Sequence, residues 1–294
     1  MSYIISCCTT TDMNKEHYEK HNEKYIGFHY MIDGKSYTDD MGETMSMKEF
    51  YRHIRAGAET STSQVAVGEY VDYFRKLLST GQDILHATLS SGISSTFQSA
   101  TTAAEMVAEE FPDRKIYVVD SLCASSGSGL FVDMLAAKRD AGVPIDEVYQ
   151  WAIDHRQEVS HWFCSTDLTY YIKGGRVSKI SGVIGGAFKI CPLLNVSPSG
   201  KLVPIAQVRT KKKVLAALVD KMVQHAQGGL DYDGLCYISN SDCYEDAEFV
   251  KNLILSRFKN VKDVPIFDIG TTIGCHTGTG TVALFFMGDK REDA

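Results

Sequence analysis

A chain of 294 residues with 44% hydrophobic and 23% charged residues carries enough apolar material for a sizeable core, which excludes disorder and allows one large domain or two ordinary ones. Its formal net charge of -7 excludes a general nucleic-acid or anionic-membrane surface, because phosphate binding requires concentrated lysine and arginine. No run approaches the roughly 18 apolar residues of a membrane span, and the first six residues have neither the basic region nor the apolar length of a signal peptide, so a cytoplasmic protein is expected.

In chain order, short apolar runs alternate with longer helical patterns, which predicts an α/β fold. Strands are expected at 3–6, 25–32, 83–89, 116–119, 162–165, 234–239, 265–269 and 282–287. Helices are expected at 46–55, 68–78, 95–110, 127–139, 145–158, 212–227 and 244–258. Asp33-Gly34 followed by Lys35-Ser36-Tyr37 predicts a hairpin turn. Ile116-Tyr117-Val118-Val119 is apolar throughout, the pattern of a strand covered on both faces. In 95–110, Phe97, Ala100, Ala104, Val107 and Ala108 fall on one helical face. A break near Ala141-Gly142-Val143-Pro144 is followed by one more helix, so a domain boundary is expected near residue 160, dividing 1–160 from 161–294.

Eight cysteines, at 7, 8, 123, 164, 191, 236, 243 and 275, form no CxxC pair, and several sit in apolar runs. Reduced, buried thiols are expected, with no metal site and no cofactor. His17 and His21 read as a solvated helix face.

Three segments concentrate hydroxyls, glycines and one histidine where strands meet helices. Leu89-Ser90-Ser91-Gly92-Ile93-Ser94-Ser95 leads into a helix whose unpaired N–H groups and positive dipole end favour an anion. Simple capping needs one serine, and this loop has four. Asp120-Ser121-Leu122-Cys123-Ala124-Ser125-Ser126 follows another strand, and ligands of open α/β sheets sit beyond the carboxyl ends of strands. It reads equally as a second capped helix. Gly274-Cys275-His276-Thr277-Gly278-Thr279-Gly280 sets one histidine among glycines that permit close backbone approach. The sequence contains no GxSxG elbow, no GxxxxGK[ST] loop and no HExxH.

Taken together, these blocks resemble the DegV family of bacterial fatty-acid-binding proteins along nearly the whole chain. Thr9-Thr10-Thr11-Asp12-Met13 is similar to its DSTADL-type opening, Thr62-Ser63-Gln64 to TSQP, and residues 89–100 to LSSxLSGTYQSA. Asp120-Ser121 matches its DS after a strand, residues 167–178 resemble DLxYLxKGGRIS, Val208-Arg209-Thr210-Lys211-Lys212 fits VRxxKK, and residues 276–280 resemble its THxGPG close.

The resemblance implies two α/β domains, the N-terminal one with a mostly parallel sheet and flanking helices and the C-terminal one with a mixed sheet. A long-chain fatty acid would lie in the cleft between them, its carboxylate held by Thr62, Ser94 and His276 with backbone N–H groups near Ser95. It further implies a non-catalytic carrier that presents the acid to a fatty acid kinase feeding phospholipid synthesis, with Arg176 and Arg209 facing the kinase. Cys8, Val65, Ser95 and Thr279 depart from the family's Asp, Pro, Gly and Pro. Residues 180–188 could line the tunnel, or belong to an ordinary core. A protonated His276 and a carboxylate would each favour the other's charged form. Two other readings stand beside the carrier: a serine-type acyl hydrolase or transferase using Ser94 and His276, and an adaptor with a vestigial pocket.

Overall fold

The computed structural model describes residues 3–177 and 190–292; the expected tunnel stretch 180–188 lies outside the described residues. The chain begins β1 (Ile4–Cys8), α1 (Lys15–Lys20), β2 (Lys24–Ile26), β3 (His29–Ile32), β4 (Lys35–Thr38), α2 (Met47–Arg55) and β5 (Thr60–Ser63). It continues α3 (Val67–Leu78), β6 (Ile84–Thr88), α4 (Thr96–Ala108), β7 (Ile116–Asp120), α5 (Ser126–Asp140) and α6 (Ile145–His155). Then follow β8 (Val159–Ser165), α7 (Thr169–Lys173), β9 (Ile190–Val196), β10 (Leu202–Arg209), α8 (Lys211–His225) and β11 (Cys236–Asn240). The last elements are α9 (Tyr244–Arg257), β12 (Ile266–Asp268), α10 (Thr271–Thr277) and β13 (Thr281–Met287).

Three sheets organise these elements. The first, ordered β2-β1-β6-β7, is wholly parallel. The second, ordered β10-β9-β8-β13-β11-β12, is antiparallel except for the β11–β12 pair, and so is mixed. The third, β4-β3-β5, is antiparallel. The chain is therefore α/β, with a parallel sheet drawn from the first half and a mixed sheet from the second.

β1 and β6 are buried along their full lengths, and their polar members are satisfied internally: Ser6 Oγ bonds His86 Nδ1 at 2.9 Å, and Thr88 donates to the Val119 carbonyl at 3.3 Å. The run 116–119 is different. β7 is an edge strand, with Ile116, Tyr117 and Val118 half-exposed, and Tyr117 covers itself by stacking on Tyr149 at 4.3 Å. The expected strand 25–32 divides in two. Lys24–Ile26 joins β1, and after Gly27 and the buried Phe28 the chain enters the third sheet at His29. The hairpin forms as expected: Asp33 (φ 49°) and Gly34 (φ 80°) are both left-handed and close the Ile32–Lys35 pair.

α5 lies between the two large sheets, touching β1 and β6 on one side and β8, β11 and β13 on the other. Leu130, Phe131, Val132, Leu135 and Ala136 are all buried, as a helix covered on opposite faces requires. Gly127 lets its first turn approach the second sheet, since a Cβ there would stand 2.2 Å from His161 Nε2. One continuous buried cluster runs through this contact, from Ile5 and Leu85 of the parallel sheet to Leu194 and Leu284 of the mixed one. Each such side chain stabilises the fold by about 1.5–3 kcal/mol relative to exposure.

Candidate functional site

β8 and β13 pair antiparallel with Thr281 opposite Ser165, Ala283 opposite Phe163 and Phe285 opposite His161. Alternation along a strand therefore gathers Phe163, Thr281, Ala283 and Phe285 on one face. That face, together with the loops beyond β6 and β7, encloses a cavity of about 810 Å³. This lies within the range of about 300–1,000 Å³ typical of ligand pockets. Phe28, Leu89, Val196 and Ile273 add apolar wall.

The polar end is built from elements far apart in sequence. Thr62 on β5 and His276 on α10 share a 2.7 Å hydrogen bond between Oγ1 and Nε2. Two residues earlier on the same face of β5, Thr60 donates to the Cys275 carbonyl at 2.9 Å. The N-terminus of α10 rests on two buried carboxylates. Asp12 Oδ1 accepts from Gly270 N–H at 3.0 Å, and Asp39 Oδ2 accepts from Thr272 N–H at 3.3 Å and its hydroxyl at 2.6 Å. Acidic groups at a helix start are favourable, and these fix where His276 stands. Burial raises both carboxyls above the usual range, well above it for Asp12, although hydrogen bonds from Ser125 to Asp12 and from Thr272 to Asp39 oppose the rise. The sequence reading treated 274–280 as a loop; residues 271–277 are instead helical.

His276 is closely confined. Burial, and then the nearby Arg176 charge, push its imidazole down to about 4, so it is neutral at neutral pH. Its Nδ1 is buried with no hydrogen-bond partner among the described residues, and a Cβ on Gly174 would come within 2.2 Å of that atom.

The four serines of the β6–α4 loop divide their tasks. Ser90 is buried and donates to the Gly200 carbonyl at 2.8 Å, tying the loop to the turn between β9 and β10. Ser94 Oγ accepts from Thr96 N–H at 3.2 Å. Ser95 is the exposed N-cap of α4 and makes no side-chain cap bond. Ser94 and Ser95 both line the cavity, as do Thr62 and His276. The second loop contributes Ala124 and Ser125 to the lining, and Ser125 also donates to Asp12 Oδ2 at 2.5 Å. Its φ of 53° is a left-handed conformation that a serine adopts only when held.

Arg176 also lines the cavity. It bonds the Gly174 carbonyl at 2.5 Å and the Ile93 carbonyl at 3.3 Å, spanning from the end of α7 to the serine loop. Arg209 stands apart, exposed at the end of β10 and outside the cavity lining. Of the basic run that follows, Lys211 pairs with Asp246 at 2.8 Å, while Lys212 and Lys213 are exposed. Asp39, Gln64 and Tyr171 escaped the sequence reading. Gln64 stands in the TSQ block and Tyr171 in the 167–178 block, and both could have been found there, but Asp39 carries no comparable local signal.

A Ser94–His276 relay would need these side chains bonded and an acid on Nδ1. Here Thr62 holds Nε2, and no acid holds Nδ1 among the described residues. The described cysteines are free thiols, and no helix among the described residues is long and apolar enough to cross a membrane.

The family model described as "Uncharacterised protein, DegV family" matches residues 8–289. A DegV domain-containing protein of Clostridium perfringens is 33% identical over 290 residues, covering 99% of each chain. One from Lactococcus lactis is 33% identical over 294 residues, covering 100% of each. The structure of a DegV lipid-binding protein from Thermotoga maritima is similar with TM-score 0.84 and 27% identity, over 99% of this chain and 100% of that one. A second Thermotoga maritima protein, whose structure reveals a fatty acid binding function, gives TM-score 0.84 and 27% identity over 98% and 100%. With the match reaching from Cys8 to Asp289 and relatives a third identical along their whole lengths, the chain belongs to the DegV family.

Proposed function

We propose that this chain binds a long-chain fatty acid without chemically changing it, and that residues 1–160 and 161–294 form the two sides of the cleft. The carboxylate is held by Thr62, Ser94, His276 and backbone N–H groups near Ser95, and the acyl chain follows the apolar wall. What carries this reading is the convergence of those four residues at a cavity that also has an apolar wall, formed by Phe28, Leu89, Phe163, Val196, Ile273 and Phe285. The Thermotoga maritima relative with a fatty acid binding function supports the same ligand class.

The energetics agree. Burying a chain of about 16 carbons supplies on the order of 10 kcal/mol gross, at ~0.8 kcal/mol per CH₂. An unpaired carboxylate would cost several kcal/mol, so donors must meet it. An orphaned buried N–H is rarer than an under-used acceptor, which favours the His276 tautomer with its proton on Nε2. The ring then donates to Thr62 Oγ1, and the Thr62 hydroxyl is free to donate into the cavity, so the neutral His276 acts on the carboxylate through Thr62. Arg176 supplies positive charge at the same end. Loading an anion would draw His276 upward from about 4. A histidine NMR titration that superimposes with and without fatty acid would count against a carboxylate at this position.

Mass spectrometry of an organic extract from purified protein tests the ligand directly. A stoichiometric fatty acid is expected; an empty extract would support the adaptor reading, and thioester turnover lost in Ser94→Ala would support the hydrolase. We further propose that the loaded protein presents its ligand to a fatty acid kinase through Arg209, with Arg176 at the cavity contributing. Arg209→Ala should lower kinase turnover several-fold with lipid affinity intact, and loss of lipid binding in that variant would refute this division.

A further inference from the structure

Away from the cavity, a second group of polar side chains converges from separate elements. His17 in α1 and His21 just beyond its last turn stack their rings with centroids 4.5 Å apart. His17 Nε2 lies 2.8 Å from Asp133 Oδ1 in the middle of α5. One potential ligand atom from each of His17, His21 and Asp133 falls within 4.8 Å of the others. This corrects the expectation of a solvated helix face: both rings are half-buried, and His17 meets Phe267 and Tyr237 edge-on. Asp133 is only 3% exposed, and its second oxygen accepts from the Tyr237 hydroxyl. Glu23, also 3% exposed, lays its carboxyl against that of Asp133, and its Oε1 is buried with no hydrogen-bond partner among the described residues.

A His17–Asp133 hydrogen bond accounts for two of these groups and leaves the rest unexplained. Two buried carboxyls in contact must share a proton or meet a cation, and a cation at this point would also engage the two imidazoles. Two imidazoles four residues apart at the end of a helix, with ligand atoms within 4.8 Å of each other and of Asp133, are a familiar ligand pair. We infer that His17, His21 and Asp133 form a binding site for one divalent transition-metal ion of the zinc class, with the Glu23 carboxyl beside Asp133.

Charge and chemistry fit this ion. Two neutral imidazoles and one carboxylate, with a fourth position left for water, suit a borderline-soft divalent ion, and two nitrogen donors argue against calcium or magnesium, which prefer oxygen. Donors bound about 2.0–2.1 Å from one ion at a right angle stand about 2.9 Å apart, close to the His17–Asp133 separation; a tetrahedral angle needs about half an ångström more. Outer partners are in place as well. Tyr237 orients Asp133, and Arg139 grips the turn carrying His21 and Glu23 by bonding the His21 carbonyl at 2.7 Å and the Asn22 carbonyl at 3.0 Å. The ion would pin α1 to α5 beside β11 and β12, and the inference does not depend on what the cavity holds.

The test uses tag-free, chelator-stripped protein titrated with Zn²⁺ by calorimetry and with Co²⁺ by visible absorption, alongside melting curves. Wild type should take up one equivalent with a rise in Tm, and Co²⁺ should give a d–d spectrum of nitrogen and oxygen donors. His21→Ala, at a half-exposed position the fold should tolerate, should lose more than about tenfold in affinity, while His225→Ala should match wild type. Failure of wild type to take up stoichiometric metal, or His21→Ala binding like wild type, would overturn the assignment.

Discussion

Thr62 and His276 are 214 positions apart in the chain and share a 2.7 Å hydrogen bond at the polar end of the cavity. Thr62→Val keeps the shape and removes the hydroxyl, leaving His276 Nε2 without its partner and the carboxylate one donor short. Fatty-acid affinity should fall on the order of tenfold, the usual effect of deleting one hydrogen bond of about 1–1.5 kcal/mol. Displacement of a fluorescent fatty acid would measure it, and an unchanged Kd would remove Thr62 from the site. Gly174 tests the same ring from behind. A methyl at Gly174→Ala would occupy the space 2.2 Å from Nδ1, so the imidazole must swing away from Thr62. Affinity and Tm should both drop, even though the Gly174 φ of -72° is one that alanine adopts freely. A variant that binds as wild type would show that ring position does not govern binding.

Among elements, α10 matters most, because it holds His276 while its N-terminus is anchored by Asp12 and Asp39 from the other half of the chain. Asp39→Ala removes the acceptor for both the Thr272 N–H and its hydroxyl. It should destabilise the fold by about 2 kcal/mol in urea unfolding and speed amide exchange in α10 ahead of the rest. Uniform exchange with no loss of stability would mean the carboxylate does not hold the helix. This anchor was not legible in the sequence. Asp12 stood in a recognisable block, but Asp39 lies among ordinary turn residues, and only the fold brings it to Thr272. Short helices were also hidden. GTTIGCHT, with its two glycines and three threonines, has poor helix propensity, and its helicity comes from the carboxylates beneath it. β9 and β10 were missed because each contains a proline. Pro192 is tolerated because pairing of β9 with β8 stops at Leu193, and Pro204 because it lies beside an irregularity on an edge strand. Ser94 and Ser95 were legible because serines crowd the loop after β6, His276 because glycines flank it, and Thr62 because it stands in the TSQ block. The inward-facing set on β8 and β13 was not, because both faces of those strands are buried and alternation leaves no trace.

For the whole molecule, buried titratable groups of both signs set the dependence of stability on pH. His86 is bonded to Ser6 Oγ at 2.9 Å and surrounded by Tyr70, Tyr73 and Phe74, and burial pushes it down to about 3. His161 accepts from Ala124 N–H at 3.3 Å and bonds the Val159 carbonyl at 2.9 Å; burial and then Arg291 push it down to about 3. Between about 6.5 and 3 the unfolded chain binds protons that these histidines refuse, so stability falls as pH drops through that window. Asp12 and Asp39 act in the opposite sense. Their raised folded values retain protons that the unfolded chain releases above about 4, so they take stability away as pH rises; Glu23, pushed up to about 9, acts the same way. The two sets oppose one another between about 4 and 6.5. Below that range the histidines act alone, and above it the carboxyls do. Stability should therefore peak in mildly acidic buffer, fall by about 1.4 kcal/mol per pH unit for each histidine below about pH 4, and decline on the alkaline side. Urea midpoints measured with chelator from about pH 3.5 to 8.5 would trace this curve. Asp12→Asn keeps the contacts to Gly270 and Ser125 but cannot titrate, so it should flatten the alkaline limb and leave the acid limb in place. A midpoint that climbs steadily through neutral pH in wild type, or an Asp12→Asn profile that superimposes on it, would show that these buried groups do not set the balance.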